Sequence, residues 1–164
     1  MINRKLYYIT SFLFMSILLV NCSATSNLGG DSNRYRIRLG VANLNAMKVE
    51  TPRILSRFGY ILQRQEEALS DIYFESRWKK RAPFEDEIKL GIKQVDSRLI
   101  IRATPRATAG SSGHIYKVSL IAETKYQDTE TNAWTASTPT DMAKAKFNEI
   151  ADAFKTEFQV KGLN

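Results

Sequence analysis

The chain predicts an α+β fold: an antiparallel sheet of five to six strands, with a short N-terminal and a long C-terminal helix packed on one face. Three observations point there. Hydrophobic residues recur with a period of two over most of residues 34–126, the mark of strands with one buried face. The segment from 138 onward switches to helical spacing. The order is a strand, a short helix, a meander of four or five strands joined by turns, and a long helix, which is an α+β layer arrangement.

The first strand is the clearest. Tyr35, Ile37, Leu39 and Val41 alternate with Arg34, Arg36, Arg38 and Gly40. A helix follows, for which Thr51-Pro52 offers an N-cap and a first-turn proline and Gly59 a stop, with an earlier start near Met47 as the alternative. Ile54, Leu55 and Phe58 are its expected buried face. Ile72, Phe74, Ser76 and Trp78 then alternate with Tyr73, Glu75, Arg77 and Lys79, and Ile88, Leu90 and Ile92 with Glu87, Lys89, Gly91 and Lys93. Pro83 and the acidic run Glu85-Asp86-Glu87 read as the turn between these two strands. Two more strands are expected over Arg98–Thr104 and Ile115–Tyr126, bounded by turns at Asp96-Ser97 and at Gly110-Ser111-Ser112-Gly113.

Thr138-Pro139-Thr140-Asp141 has capping-box spacing, with Asp in the place of Glu or Gln. Phe147, Ile150, Ala151, Phe154 and Phe158 then share one helical face until Lys161-Gly162. Three phenylalanines on one stripe read as core. Trp78 and Trp134 are expected to join them between sheet and helix.

The start of the chain is different. A basic Met1–Lys5 precedes an uncharged apolar run of 15 residues, Leu6–Val20, which closes on Asn21-Cys22. Such a run is short for the ~20 residues of a spanning helix and fits the apolar region of a secretory signal. Cys22 is the only cysteine, so no intramolecular disulfide can form. A cysteine ending an apolar signal resembles the lipobox of bacterial lipoproteins, with Asn21 where that family has Gly, Ala or Ser. The resemblance implies cleavage before Cys22 and acylation of it; a free thiol is the competing reading. Two or more acyl chains anchor stably where one holds marginally. Ser23 after the cysteine implies, by the enterobacterial sorting rule, the outer membrane, on its periplasmic side or at the cell surface.

The resulting organisation is a signal peptide over 1–21, a flexible tether over 22–33 after the lipidated cysteine, and a single α+β domain over 34–164. The tether is small, polar and carries a Gly pair, Gly29-Gly30. The signal holds two of the 24 basic residues and none of the 17 acidic ones, which leaves 22 against 17 and a net +5 for the rest.

Residues 52–78, with a helix turning through Phe58-Gly59-Tyr60 into a strand and a further strand ending near Trp78, resemble the repeat domain of the lipoprotein accessory of the outer-membrane β-barrel assembly machinery. That resemblance implies a curved antiparallel sheet paired with a long helix and a role in binding partner proteins. It transfers no functional residue.

Catalytic patterns are scarce. His114 is the sole histidine, and the Gly110–Gly113 stretch before it lies between strands, where a nucleophile elbow needs a strand-to-helix turn. Glu66-Glu67 and Glu85-Asp86-Glu87 read as solvated charge, and no Gly-rich phosphate loop opens a helix. No catalytic residue, metal site or cofactor is assigned. The feature able to carry binding is a basic sheet face built from Arg34, Arg36, Arg38, Arg77, Lys79, Lys89, Lys93 and Arg102, with Tyr73 beside it.

The sequence therefore predicts a non-catalytic, membrane-anchored lipoprotein that serves as an accessory or docking subunit of an envelope protein assembly, with no nucleic-acid partner. The alternative is a module binding anionic lipid, lipopolysaccharide or cell-wall glycan through the basic face or a sheet–helix pocket. An exposed apolar patch or open edge strand favours the first; a sizeable apolar pocket beneath the helix favours the second.

Overall fold

The structure is a computed structural model and describes residues 33–68, 71–106 and 115–161. The signal segment, Cys22, the tether as far as Ser32, the Gly110–His114 stretch and Gly162 lie outside the described residues.

Strand β1 (Arg34–Asn43) leads directly into helix α1 (Leu44–Arg57). Then come β2 (Leu62–Ala68), β3 (Asp71–Ser76), β4 (Lys79–Arg81), a short helix α2 (Glu85–Lys89), β5 (Ile92–Pro105), β6 (Ile115–Asp128), β7 (Trp134–Ser137) and α3 (Asp141–Lys161). All strands join one antiparallel sheet in the order β1-β6-β5-β3-β2; β4 continues the β3 position along β5, and β7 pairs with β6. The fold is α+β, with seven strands rather than five or six.

The core lies between the sheet and the helices α1 and α3. Leu99, Ile101 and Ala103 of β5 and Val118, Leu120 and Ala122 of β6 face it. Phe147, Ile150, Ala151, Phe154 and Phe158 close it from above, each at most 2% exposed. Burying a phenylalanine is worth about 1.5–3 kcal/mol, so this stripe is what holds α3 on the sheet.

Four elements differ from the sequence reading. Helix α1 starts at Leu44 because Asn43 caps it, its Oδ1 accepting from the Ala46 N–H at 2.7 Å. Thr51 and Pro52 are thus inside the helix, and Thr51 Oγ1 is buried without a partner among the described residues. Helix α3 is capped by Thr140, whose hydroxyl accepts from the Ala143 N–H at 3.5 Å, not by Thr138. The segment expected as a strand over Glu87–Lys93 is α2 plus a turn. Three carboxylates crowd its first turn, where a helix N-terminus favours negative charge. Asp96-Ser97 is no turn: β5 runs through it unbroken.

Helix α1 ends at Phe58-Gly59. Gly59 has φ +72°, a left-handed conformation natural to glycine, and Tyr60 returns at once to the core, with its hydroxyl 2.9 Å from Ser97 Oγ.

Candidate functional site

The face of the sheet away from the helices is set by register. Opposite Arg34 stands Glu123, and opposite Glu123 stands Arg98. Arg34 Nε donates to Glu123 Oε1 and Arg98 Nε to Oε2, both at 2.6 Å. Arg98 also donates to Glu75 on β3, which accepts from the Tyr73 hydroxyl at 2.8 Å. Arg64 on β2 lies over the Tyr73 ring and donates to Glu66 at 2.6 Å. An ion-pair ladder thus crosses the sheet from edge to edge. Burial pushes the Glu123 carboxyl up, but the hydrogen bonds from Arg98 and Arg34 outweigh it and hold it below its ordinary range. Burial and the bond to Glu75 push the Tyr73 hydroxyl up to about 12, so it stays a donor.

The expected basic face is therefore divided. Arg34 belongs to the ladder, and Arg102 donates to Asp71 at 2.8 Å. Arg77 sits exposed in the loop after β3. Lys93 is at a bulge of β5 and donates to Asn132 at 3.2 Å. Lys89 is exposed on α2, a helix where a strand was expected. Lys79 faces the opposite way: its ammonium donates to the Phe58 carbonyl at 2.6 Å and lies 4.9 Å from the Tyr60 ring centroid, on the helix side. Residues Arg77 and Trp78 are not paired, and this break reverses the alternation, so Lys79 and Arg81 face inward and Lys80 outward.

The same break puts Trp78 outside the core. Its ring lies on the open face with Lys125 at 4.2 Å and Arg98 at 4.8 Å, and a depression of about 280 Å³ beside it is lined by Arg34, Glu123 and Ala136. Trp134 is likewise exposed, at 43%.

Arg36 and Arg38 remain. With Lys117, Gly40 and Ser119 they line a groove of about 530 Å³ in which no carboxylate stands. Lys117 was not among the expected residues. The alternation Lys117, Ser119, Ile121, Glu123 along β6 carried the signal, but only the β1–β6 register shows which of them meet arginines.

Beneath α3 there is an apolar pocket of about 100 Å³ lined by Phe58, Tyr60, Phe84, Phe147 and Ile150. Arg81 closes its rim, held bidentate by the fully buried Glu87 at 2.6 Å through both nitrogens. Among the described residues no cluster of histidine, cysteine and carboxylates could hold a metal, and no helix is long and apolar enough to cross a membrane.

Large exposed hydrophobics are concentrated at one end. Ile88 (59%) and Leu90 (68%) stand on α2 and its turn, Met142 on the first turn of α3 and Trp134 on β7. Asp86 accepts from the Met142 N–H at 3.0 Å, and Gly91 accepts from the Thr129 N–H at 2.9 Å, which ties α2 to both neighbours. These are four of the seven large exposed hydrophobics among the described residues; Trp134, opposite Gln127, stands on the open face of the sheet and Met142 on the helix side.

Comparison with known protein families, characterised proteins and solved structures finds no match for this chain.

Proposed function

We propose that the protein is a non-catalytic, lipid-anchored accessory subunit that docks on an envelope protein assembly through the apolar end formed by α2 and the start of α3. The observation that carries this reading is that Ile88, Leu90 and Met142 stand exposed on α2 and the start of α3, which the bond from the Met142 N–H to Asp86 holds together. Protein interfaces keep such anchors at their centre with polar groups around them; here Lys89, Glu85 and Asp141 are the polar neighbours in sequence. The pocket beneath α3 speaks against the sheet–helix pocket as a ligand site, since about 100 Å³ is well below the ~300 Å³ of small ligand sites. Sheet edges are the weaker docking candidates: β2 carries Arg64, Glu66 and Glu67, all exposed, and charged side chains blunt strand addition.

Anchoring through acyl chains on Cys22, an outer-membrane location and the resemblance of residues 52–78 to the β-barrel assembly lipoprotein remain part of the same proposal. The test is purification of the tagged full chain from its own membranes in mild detergent, beside Ile88→Ser/Leu90→Ser and Cys22→Ala. A stoichiometric envelope protein should accompany the wild type, disappear with the double variant at unchanged thermal stability, and decline with Cys22→Ala. Equal recovery with the double variant would refute docking through this end. A Cys22 without acyl chains by mass spectrometry would refute the anchor.

A further inference from the structure

The open sheet face holds cations of two kinds. Arg34, Arg64, Arg98 and Arg102 each meet a carboxylate across the strands. Arg36 and Arg38 stand on the same strand as Arg34, yet the residues opposite them on β6 are Ile121 and Ser119, and neither arginine pairs with a carboxylate among the described residues. Lys117 is the diagonal neighbour of Arg38 across β1 and β6. Successive same-face residues are about 7 Å apart and diagonal neighbours about 7–8 Å, so three charges with no carboxylate partner among the described residues lie within about 15 Å. The Ser119 hydroxyl is spent on the Arg102 carbonyl at 3.4 Å. Gly40 lines the groove, and a Cβ built there meets nothing within 4 Å, so the floor is open.

We propose that this groove is a docking surface for the phosphate headgroups of an anionic lipid bilayer, an inference that rests on the membrane-anchored reading. Like charges held together with no internal counter-ion repel one another, and an external anion relieves that repulsion. Arginine supplies a planar fork that pairs with phosphate oxygens bidentately. Charge complementarity supplies the occupant, and the chain before β1 permits it. Residues 22–33 reach at most about 40 Å, and they enter the domain at Arg34, two residues from Arg36. An acylated Cys22 therefore keeps the groove within reach of the headgroup layer.

The experiment uses the full chain reconstituted into vesicles of phosphatidylcholine alone or with about a third phosphatidylglycerol. Lysines are labelled with a soluble amine-acetylating reagent and read by peptide mass spectrometry. Each basic residue at an anionic surface is worth about a factor of five, so Lys117 labelling should fall at least about fivefold in the anionic vesicles. Lys155 on α3 should not change. The difference should vanish at high salt and in Arg36→Gln/Arg38→Gln, whose side chains are exposed. Equal Lys117 labelling in both vesicles overturns the proposal. So does equal protection on neutral vesicles by soluble inorganic phosphate or by polyglutamate, which would make the groove a site for a free anion or an acidic protein segment. Cys22 acylation is read by mass in the same sample. Protected Lys117 beside an unmodified Cys22 sinks the anchor and leaves the groove; the converse sinks the groove alone.

Discussion

Removing the Arg81 guanidinium should be among the most damaging single changes in the domain. Glu87 is fully buried and takes two hydrogen bonds of 2.6 Å from Arg81 and one of 2.7 Å from the Phe84 N–H. In Arg81→Ala the carboxylate keeps only the backbone bond. Breaking a buried pair by deleting one partner costs about 3–5 kcal/mol. For about 130 residues the unfolding entropy converts this to a Tm lower by about 11–18 °C. Thermal melts followed by circular dichroism measure this directly. Arg81→Met/Glu87→Leu should recover most of the loss, since replacing both partners removes the buried charge. A deficit under about 1 kcal/mol would refute the assignment of a dry, paired carboxylate.

Thr51→Val should stabilise the domain by about 1 kcal/mol, since the buried Thr51 hydroxyl has no partner among the described residues and an unmet polar group costs about 1–3 kcal/mol; a lower denaturation midpoint would contradict it. Asn43→Ala should cost about 1 kcal/mol by removing the α1 cap, visible in the same assay. Gly59→Ala should cost about 1–2 kcal/mol from backbone strain at φ +72°, with little added by the Lys79 ammonium 2.9 Å from the new Cβ, because that flexible end can move; if Lys79→Ala rescued it fully, sterics and not φ would be the cause. Glu123 has its carboxyl held below the ordinary range, so its contribution is present above about pH 4.5 and fades as pH falls through the lowered value. Glu123→Gln should therefore lose stability at neutral pH and show a shallower decline below it; identical acid limbs for both proteins would count against the ladder.

Local patterns were legible and register was not. The Phe147–Phe158 stripe is encoded as spacing, and those residues are the core because only one helical face can hold them. The β1 alternation is equally plain. What distinguishes Arg34 from Arg36 is residue 123 against residue 121, nearly ninety positions away, and nothing local encodes it. The misread segment at 87–93 has a simpler cause. Ile88, Leu90 and Ile92 alternate as a strand would, but Glu87 is drawn inward by Arg81, and α2 leaves Ile88 and Leu90 exposed. A buried ion pair overrode the period of the apolar residues. Trp78 and Lys79 were misplaced for another reason: between Glu75 opposite Ile100 and Lys79 opposite Ser97 the register slips by one residue, which reverses the parity of β4.

The separation of paired and unpaired arginines also bears on why the open face tolerates so much charge. The ladder places Glu75 and Glu123 between Arg98, Arg34 and Tyr73, so each carboxylate serves two or more donors and the centre of the sheet is close to neutral. Ile100 and Ile121 sit on this same face yet are only 4% and 5% exposed, and long charged side chains are able to cover apolar neighbours with their stems while keeping their heads in water. Spreading Arg36 and Arg38 over Ile121 would shield the apolar surface at the cost of concentrating positive charge. On that account the groove has a folding role whether or not a membrane is present. Shortening both arginines to alanine should destabilise the domain by uncovering Ile121, whereas glutamine keeps part of the stem and removes the charge. The glutamine pair thus separates the two roles: a fold that survives with its lipid response gone assigns the stems to the domain and the guanidinium groups to the surface it meets.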